Sequence, residues 1–401
     1  MKARLIKGEV PAALAPLANN SIDACVTDPP YGIGFMGKEW DTFKPGRLTK
    51  ERPLFVDRGN PNLKGRKRSR RNFQAWTEQW AREVMRVLKP GSYLLCCAAP
   101  RSYHRIACGI EDAGFEVRDC ILWLFGQGFP KSLNLKGEFK GWGTALKPAW
   151  EPVLMARKPL VGTVQKNMRQ FGTGAINIDA GRIPGVQGSG VWGSSNENCA
   201  GDKVFNASPE GSNYRSEQHT AGRWPANVIH DGNECVIAGF PDVESGKPCG
   251  TKAGGQGNAF GVFAGGIPVT GYGDSGSAAR FFYCAKASRA DRDDGMAGFE
   301  KKPLRWSSVD QSPGTFQSPN TDCNAHNHHP TVKPTELMRY LCTLVTPPSG
   351  IVLDPFMGSG STGRGALLGG FQFIGIEREE EYVEIARVRI RAISPLFVEV
   401  Q

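Results

Sequence analysis

The sequence predicts an α/β fold on a doubly wound, mostly parallel sheet, and three observations predict it. Short apolar runs alternate with segments of helical period, Pro and Gly punctuate the joins, and one late run leads through a glycine-rich turn into a new helix. The pattern holds at both ends of the chain and lapses between them.

The run 22–28 (IDACVTD) stops at Pro29-Pro30 and reads as a buried strand. Phe73, Trp76, Trp80, Val84 and Val87 recur at spacings of three and four, which predicts a helix over 72–88. Lys89-Pro90-Gly91 ends it, and 92–99 (SYLLCCAA) reads as a second buried strand. A helix over 103–113 and a strand over 115–125 follow. From 160 to 325 Gly, Ser and Asn dominate without a sustained helical period. Aromatic islands at 223–229 (RWPANVI) and 280–283 (RFFY) favour an irregular inserted domain over a disordered linker. The expected division is therefore 1–159 with 326–401 as one domain and 160–325 as the insertion. After it come a helix over 334–345, a strand over 351–354, a helix over 361–368 and a strand over 371–377. The closing helix opens with Glu379, Glu380 and Glu381 and ends with Arg387, Arg389 and Arg391, as its dipole prefers.

Gly 50 and Pro 28 in 401 residues exclude a helical bundle or coiled-coil fibre. A net charge of +10 favours an acidic partner, nucleic acid or an anionic surface. No apolar run approaches the ~18 residues of a bilayer span, and acidic and turn residues interrupt the opening MKARLIKGEVPAAL before a signal-peptide core forms. The 11 cysteines, scattered and partly inside apolar runs (Cys96, Cys97, Cys120), suit reduced buried thiols. The expectation is a soluble, cytoplasmic, basic protein. Cys284, Cys323, His326, His328 and His329 match no finger or ribbon spacing, so no metal is expected.

Two motifs carry chemistry. Asp354-Pro-Phe-Met-Gly-Ser-Gly-Ser-Thr362 sits between a strand and a helix; Gly358 and Gly360 permit a tight turn that a ligand can approach, and the helix N-terminus offers free N–H groups. Glu377 ends the next strand, where a carboxylate can grip a ribose diol. The spacing is neither the dinucleotide fingerprint nor a P-loop, and a ligand-free βα turn is the alternative. In Thr27-Asp28-Pro29-Pro30-Tyr31-Gly32 two prolines hold an acceptor side chain, a main-chain carbonyl and an aromatic face together, a set that suits a planar amine. The alternative is a proline turn whose Asp caps a backbone N–H.

Together these motifs, in this order, resemble the β-class DNA amino-methyltransferases, with further matches in His329-Pro-Thr-Val-Lys-Pro334 and Ala149-Trp-Glu-Pro152. The resemblance implies a Rossmann-like methyltransferase sheet in circularly permuted motif order, with the insertion as target-recognition region. It implies S-adenosylmethionine as cofactor, lined by Asp354, Phe356, Gly358, Ser359, Gly360 and Thr362, with Thr331 and Lys333 near its carboxylate. Glu377 would hold the ribose, and Glu9 stands where the family usually has Asp near the adenine. The partner would be double-stranded DNA with one base extruded; the family often dimerises. Asp28 and the Pro29 carbonyl, held by Pro30, would accept hydrogen bonds from the exocyclic amine, with Tyr31 stacking on the base and Trp150 as a second wall. Asp at 28 favours adenine N6, since cytosine-N4 members more often carry Ser; cytosine N4 and a non-catalytic DNA-binding role are the alternatives. C5-cytosine methylation is excluded, because Cys96-Cys97 does not match its Pro-Cys-Gln motif. The basic run Arg58, Lys64, Arg66, Lys67, Arg68, Arg70 and Arg71, read as a loop flanking the pocket, would meet phosphates, and 35–40 (FMGKEW) would form part of a lid. In the insertion, Arg223, Trp224, Arg280, Arg289 and Arg292 are candidates to brace DNA, with core packing an equal explanation of the aromatics.

Overall fold

Apolar, β-branched runs pair into a ten-stranded sheet in a computed structural model that describes residues 2–33, 41, 61–126, 128, 132–185, 190–192, 214–216, 222–244, 275–286, 290–303, 324–393 and 399–400. The strands are β1 Lys2–Lys7, β2 Ile22–Thr27, β3 Leu88–Cys97, β4 Glu116–Leu124, β5 Trp150–Arg157, β6 Val228–His230, β7 Tyr283–Cys284, β8 Ile351–Asp354, β9 Gln372–Glu377 and β10 Glu399–Val400. Their order across the sheet is β7-β6-β4-β5-β3-β2-β8-β9-β1-β10. Pairing is parallel from β3 through β2, β8 and β9 to β1; β5 alone runs against both its neighbours, β3 and β4. The mostly parallel α/β sheet of Rossmann-like kind is therefore present.

The principal helices are α1 Pro61–Val87, α2 Tyr103–Asp112, α3 Val164–Phe171, α4 Thr335–Val345, α5 Ser361–Leu368 and α6 Glu380–Arg391. β2 is buried along its whole length, as a central parallel strand must be. Trp80, Val84 and Val87 of α1 pack with Leu94 and Cys96 of β3 and Ile106 and Ile110 of α2 in the main core.

Two sequence expectations change here. The first helix begins at Pro61 and runs for 27 residues, so the basic run lies mostly on a helix and not in a loop. Proline suits a first helical position, and Lys and Arg are good helix formers whose exposed periodicity is invisible to an apolar-face search. Arg71 is exposed on it; the side chains of Lys64, Arg66, Lys67, Arg68 and Arg70, like Arg58 and 35–40, lie outside the described residues. Second, the chain divides at other places than 159 and 326. The first unit holds Met1–Asn177, Asn227–Asn233 and Cys284–Gln401, and the second Ile178–Ala226 and Glu234–Tyr283. The 160–177 stretch, expected to be irregular, carries α3, which Thr163 caps through its side chain and Gly172 ends at φ +74°.

In the second unit, two short antiparallel pairs form, Gly190–Trp192 with Tyr214–Ser216 and Asp242–Glu244 with Ser275–Ser277. Arg223 is buried there and donates to the carbonyls of Pro184 and Arg280. Both Arg223 and Arg280 lie over the Phe281 ring. These two candidates hold their own unit together; Trp224 stays exposed beside Arg182. Arg289 and Cys323 lie outside the described residues.

Candidate active site

Parallel pairing brings the carboxyl ends of β1, β2, β8 and β9 to one edge of the sheet. The chain leaves β2 through α1 toward β3 on one side and β8 through α5 toward β9 on the other, so adjacent β2 and β8 flank the switch point where such sheets leave a crevice. Thr27 Oγ1 donates to Asp354 Oδ1 across it at 2.6 Å. Residues more than 300 apart in sequence are thereby joined, and with them both motifs.

On the β8 side, Gly358 and Gly360 take φ +51° and +82°, where L side chains are strained. A Cβ at 358 would stand 2.8 Å from His329 Nε2. Asp354 is 1% exposed and also accepts from the Phe356 N–H at 3.0 Å. Burial pushes its carboxyl up to about 6, against hydrogen bonds from Thr27, Thr362 and Phe356 that hold it down. Its role is to shape the turn from beneath. Glu377 accepts from the Gly358 N–H at 3.0 Å and the Glu379 N–H at 2.8 Å, one on each oxygen, and burial raises its pKa. The Arg378 N–H also bonds this carboxylate, so of its about four lone-pair sites about one remains for a ribose hydroxyl. The tight glycine turn and the acceptor site left on this carboxylate fit a nucleoside-bearing cofactor.

Beneath the turn lies a group that sequence reading missed. Arg389 is completely buried, donating to Ser359 Oγ at 3.0 Å, to the Ser359 carbonyl and to the Asp291 carbonyl at 2.6 Å. Burial, then the neighbouring Arg364, lowers its pKa to about 10. Arg364 pairs with Asp294, and Arg292 donates to the carbonyls of Asn327 and His329. Segment 290–294, expected in the insertion, is thus a brace for the turn. The signal was available: Arg389 falls four residues after buried Ile385, on the apolar face of α6.

The Asp28 loop is held by side chains from distant segments. Tyr31 OH donates to Asp28 Oδ1 at 2.7 Å, and Lys333 Nζ donates to Asp28 Oδ2 at 2.8 Å and Tyr31 OH at 2.9 Å. Glu151 Oε2 lies 3.3 Å from both Tyr31 OH and Lys333 Nζ. Burial disfavours the Lys333 charge, but Asp28 and Glu151 outweigh it and hold the ammonium above the ordinary lysine range. Burial, then Asp28 and Glu151, raises the Tyr31 phenol, which stays neutral at pH 7. Asp41, 1% exposed, accepts from the N–H groups of Gly32 and Ile33 at 2.6 and 3.2 Å. The cluster pairs two carboxylates with one ammonium and leaves a net negative site, suited to an amine that gains positive charge.

α1 supports both loops. A Cβ on Gly32 would stand 2.8 Å from the Phe73 ring, and Phe356 packs at 5.4 Å against both Trp76 and Trp80. Phe356 is therefore seated in aromatic core.

Of the expected cofactor residues, Lys333 is drawn to Asp28, and the Thr331 carbonyl engages His329 Nδ1. His329 lies edge-on to Tyr382 at 4.5 Å, and burial lowers its pKa to about 4. Glu9 follows β1 with an exposed side chain 4.0 Å from Arg378. Trp150 opens β5 beside Glu151, and strand alternation turns it to the opposite face. Glu151 and Asp41 went unread: Glu151 was visible only within the Trp-Glu-Pro match, and isolated Asp41 had no signal. Cys96 and Cys97 are buried, and burial raises both thiols. Among the described residues no group of three or more His, Cys, Asp or Glu could hold a metal ion, and no helix is long and apolar enough to cross a membrane.

Residues 22–388 match the sequence model of the N6/N4 methyltransferase family, described as DNA methylase. The type II methyltransferase M.HindIII of Haemophilus influenzae Rd is 29% identical over 189 residues, 40% of this chain and 60% of that protein. M.HinfI, also from Haemophilus influenzae, is 43% identical over 67 residues, 17% of this chain and 19% of that protein. The match thus spans less than two thirds of either relative's length. A putative DNA modification methylase from Thermus thermophilus, solved with S-adenosyl-L-methionine, aligns over 100% of this chain and 99% of its own at 15% identity and TM-score 0.42.

Proposed function

The chain belongs to the N6/N4 DNA methylase family, and from that premise we propose that it methylates the exocyclic N6 amine of an adenine extruded from double-stranded DNA, with S-adenosylmethionine as donor. The observation that supports the reading is the Thr27–Asp354 hydrogen bond, which joins the strand end before the Asp28 loop to the strand end before the glycine turn. When bound, the cofactor supplies an electrophilic methyl group on a sulfonium.

The remaining work falls to the chain. Glu377 and the Gly358–Gly360 turn would hold the donor. Tyr31, whose ring carries Lys333 Nζ at 5.3 Å from its centroid, would present a fixed face to the base. An aromatic amine is a weak nucleophile because its lone pair is delocalised into the ring. Hydrogen bonds to the Asp28 carboxylate and the Pro29 carbonyl favour a tetrahedral nitrogen and free that pair. Lys333 and Tyr31 take one hydrogen bond on each Asp28 oxygen, so the carboxylate is oriented before the base arrives and still has lone pairs to offer. Catalysis then rests on positioning and electrostatics, without a covalent intermediate. Aspartate at 28, where cytosine-N4 members more often carry serine, favours adenine.

The test is to incubate the protein with unmethylated plasmid and methyl-labelled S-adenosylmethionine, digest to nucleosides and separate them. N6-methyladenine is expected. N4-methylcytosine would reject the base assignment, and no labelled nucleoside would reject the activity.

A further inference from the structure

We propose that residues 132–149, joining β4 to β5, form a DNA-docking hairpin whose aromatic side chains stack on bases left unstacked beside the site where the target base leaves the duplex. The inference rests on the proposed action on DNA and adds a contact surface outside the expected target-recognition region and the basic run on α1.

The segment is built, and it is bare. Leu133 N–H donates to Thr144 Oγ1 and Thr144 N–H to Ser132 Oγ, both at 2.9 Å, while Leu135 N–H donates to the Trp142 carbonyl at 2.9 Å. Its base continues the sheet, since Phe125 N–H donates to the Ala149 carbonyl at 2.9 Å and Lys147 Nζ reaches the Gly126 carbonyl at 2.6 Å. Yet every residue from 133 to 149 is exposed. Trp142 is 70% exposed, Phe139 54% and Leu146 93%. Large apolar side chains gathered on one ordered, solvent-facing hairpin mark a contact surface.

Two observations choose DNA as the occupant. Lys136 and Lys140 alternate with Leu135, Phe139 and Trp142; lysine is depleted at protein–protein interfaces, whereas cations interleaved with aromatics suit phosphates and bases. The hairpin also springs from the catalytic edge. β4 runs parallel to β3, both being antiparallel to β5, so Leu124 ends at the same edge as Thr27. On the return, Glu151 enters the Tyr31–Lys333 cluster. Whatever extruded base reaches Tyr31 brings its flanking duplex toward this arm.

The test uses the full chain, unmethylated plasmid and labelled S-adenosylmethionine. The F139A/W142A variant should raise the KM for DNA about ten- to a hundredfold, leaving kcat at saturating DNA, the KM for S-adenosylmethionine and the melting temperature near wild type. K136Q/K140Q should lower the salt slope of log affinity by up to about two. An F139A/W142A protein whose DNA KM stays within twofold overturns the hairpin while leaving the methylation reading intact. So does a variant that merely converts a dimer to a monomer in sedimentation, since a second copy would then be the occupant. A wild type that binds plasmid without labelling it fails the methylation reading instead, and a DNA dissociation constant raised tenfold by F139A/W142A would still support the arm.

Discussion

The glycine turn and the Asp28 loop lie side by side yet are held in opposite ways. The turn takes most of its hydrogen bonds from its own neighbourhood, Glu377, Thr362 and the Phe356 N–H lying within about one βαβ step of Asp354, with Thr27 crossing from β2 and Arg389 bracing it from beneath. The Asp28 loop takes Asp41 from nearby but depends on Lys333 and Glu151, which arrive from elsewhere in the chain. One is a mainly local cradle; the other is an ion network whose geometry depends on two distant segments. The difference teaches that the two loops rest on different side-chain supports, so a substitution can injure one and spare the other.

The sharpest break is D28A, which removes the acceptor and should lower kcat by about 10²–10³-fold, with the cofactor dissociation constant within a few-fold by calorimetry. Retained turnover would mean that Asp28 serves only the ion network. Next comes K333M, which leaves Asp28 and Glu151 facing each other without their cation. Breaking such a buried pair should cost about 3 kcal/mol in chemical denaturation. G358A probes the other side. A left-handed alanine costs about 1–2 kcal/mol, and the clash with His329 adds to it, so cofactor affinity should fall about tenfold while the pH profile of kcat stays put.

The last comparison is a pair of opposed slopes. Asp354 is raised to about 6, so the stability its protonated form allows is complete below about pH 4 and is lost as pH rises through about 6. His329 is lowered to about 4, so its contribution is present above about 6.5 and lost as pH falls through about 4. Thermal melts between these limits should show D354N tilting stability upward with pH relative to wild type and H329F tilting it downward. Equal slopes in all three proteins would remove both assignments.

The local cradle was legible because its grammar is short-range: a strand, two glycines, a helix, and an acid ending the next strand. The Asp28 motif was legible for the same reason, but its supports were not. Lys333 was noticed within His-Pro-Thr-Val-Lys-Pro and assigned to the cofactor, since nothing in a linear string says that it crosses to Asp28. The antiparallel turn of β5 delivers Glu151, and strand direction is set by which neighbours pair. The start of α1 was missed because charged helix formers leave no apolar stripe, and Arg389 because its charge suited the helix end as well as the buried face.

One rod underlies both halves. α1, of 27 residues, is about 40 Å long; Phe73, Trp76 and Trp80 on its later turns form a floor shared by Gly32 and Phe356. A push on its far, cation-rich end therefore cannot tilt one loop without the other. Sulfur and nitrogen would keep their spacing because they ride the same keel.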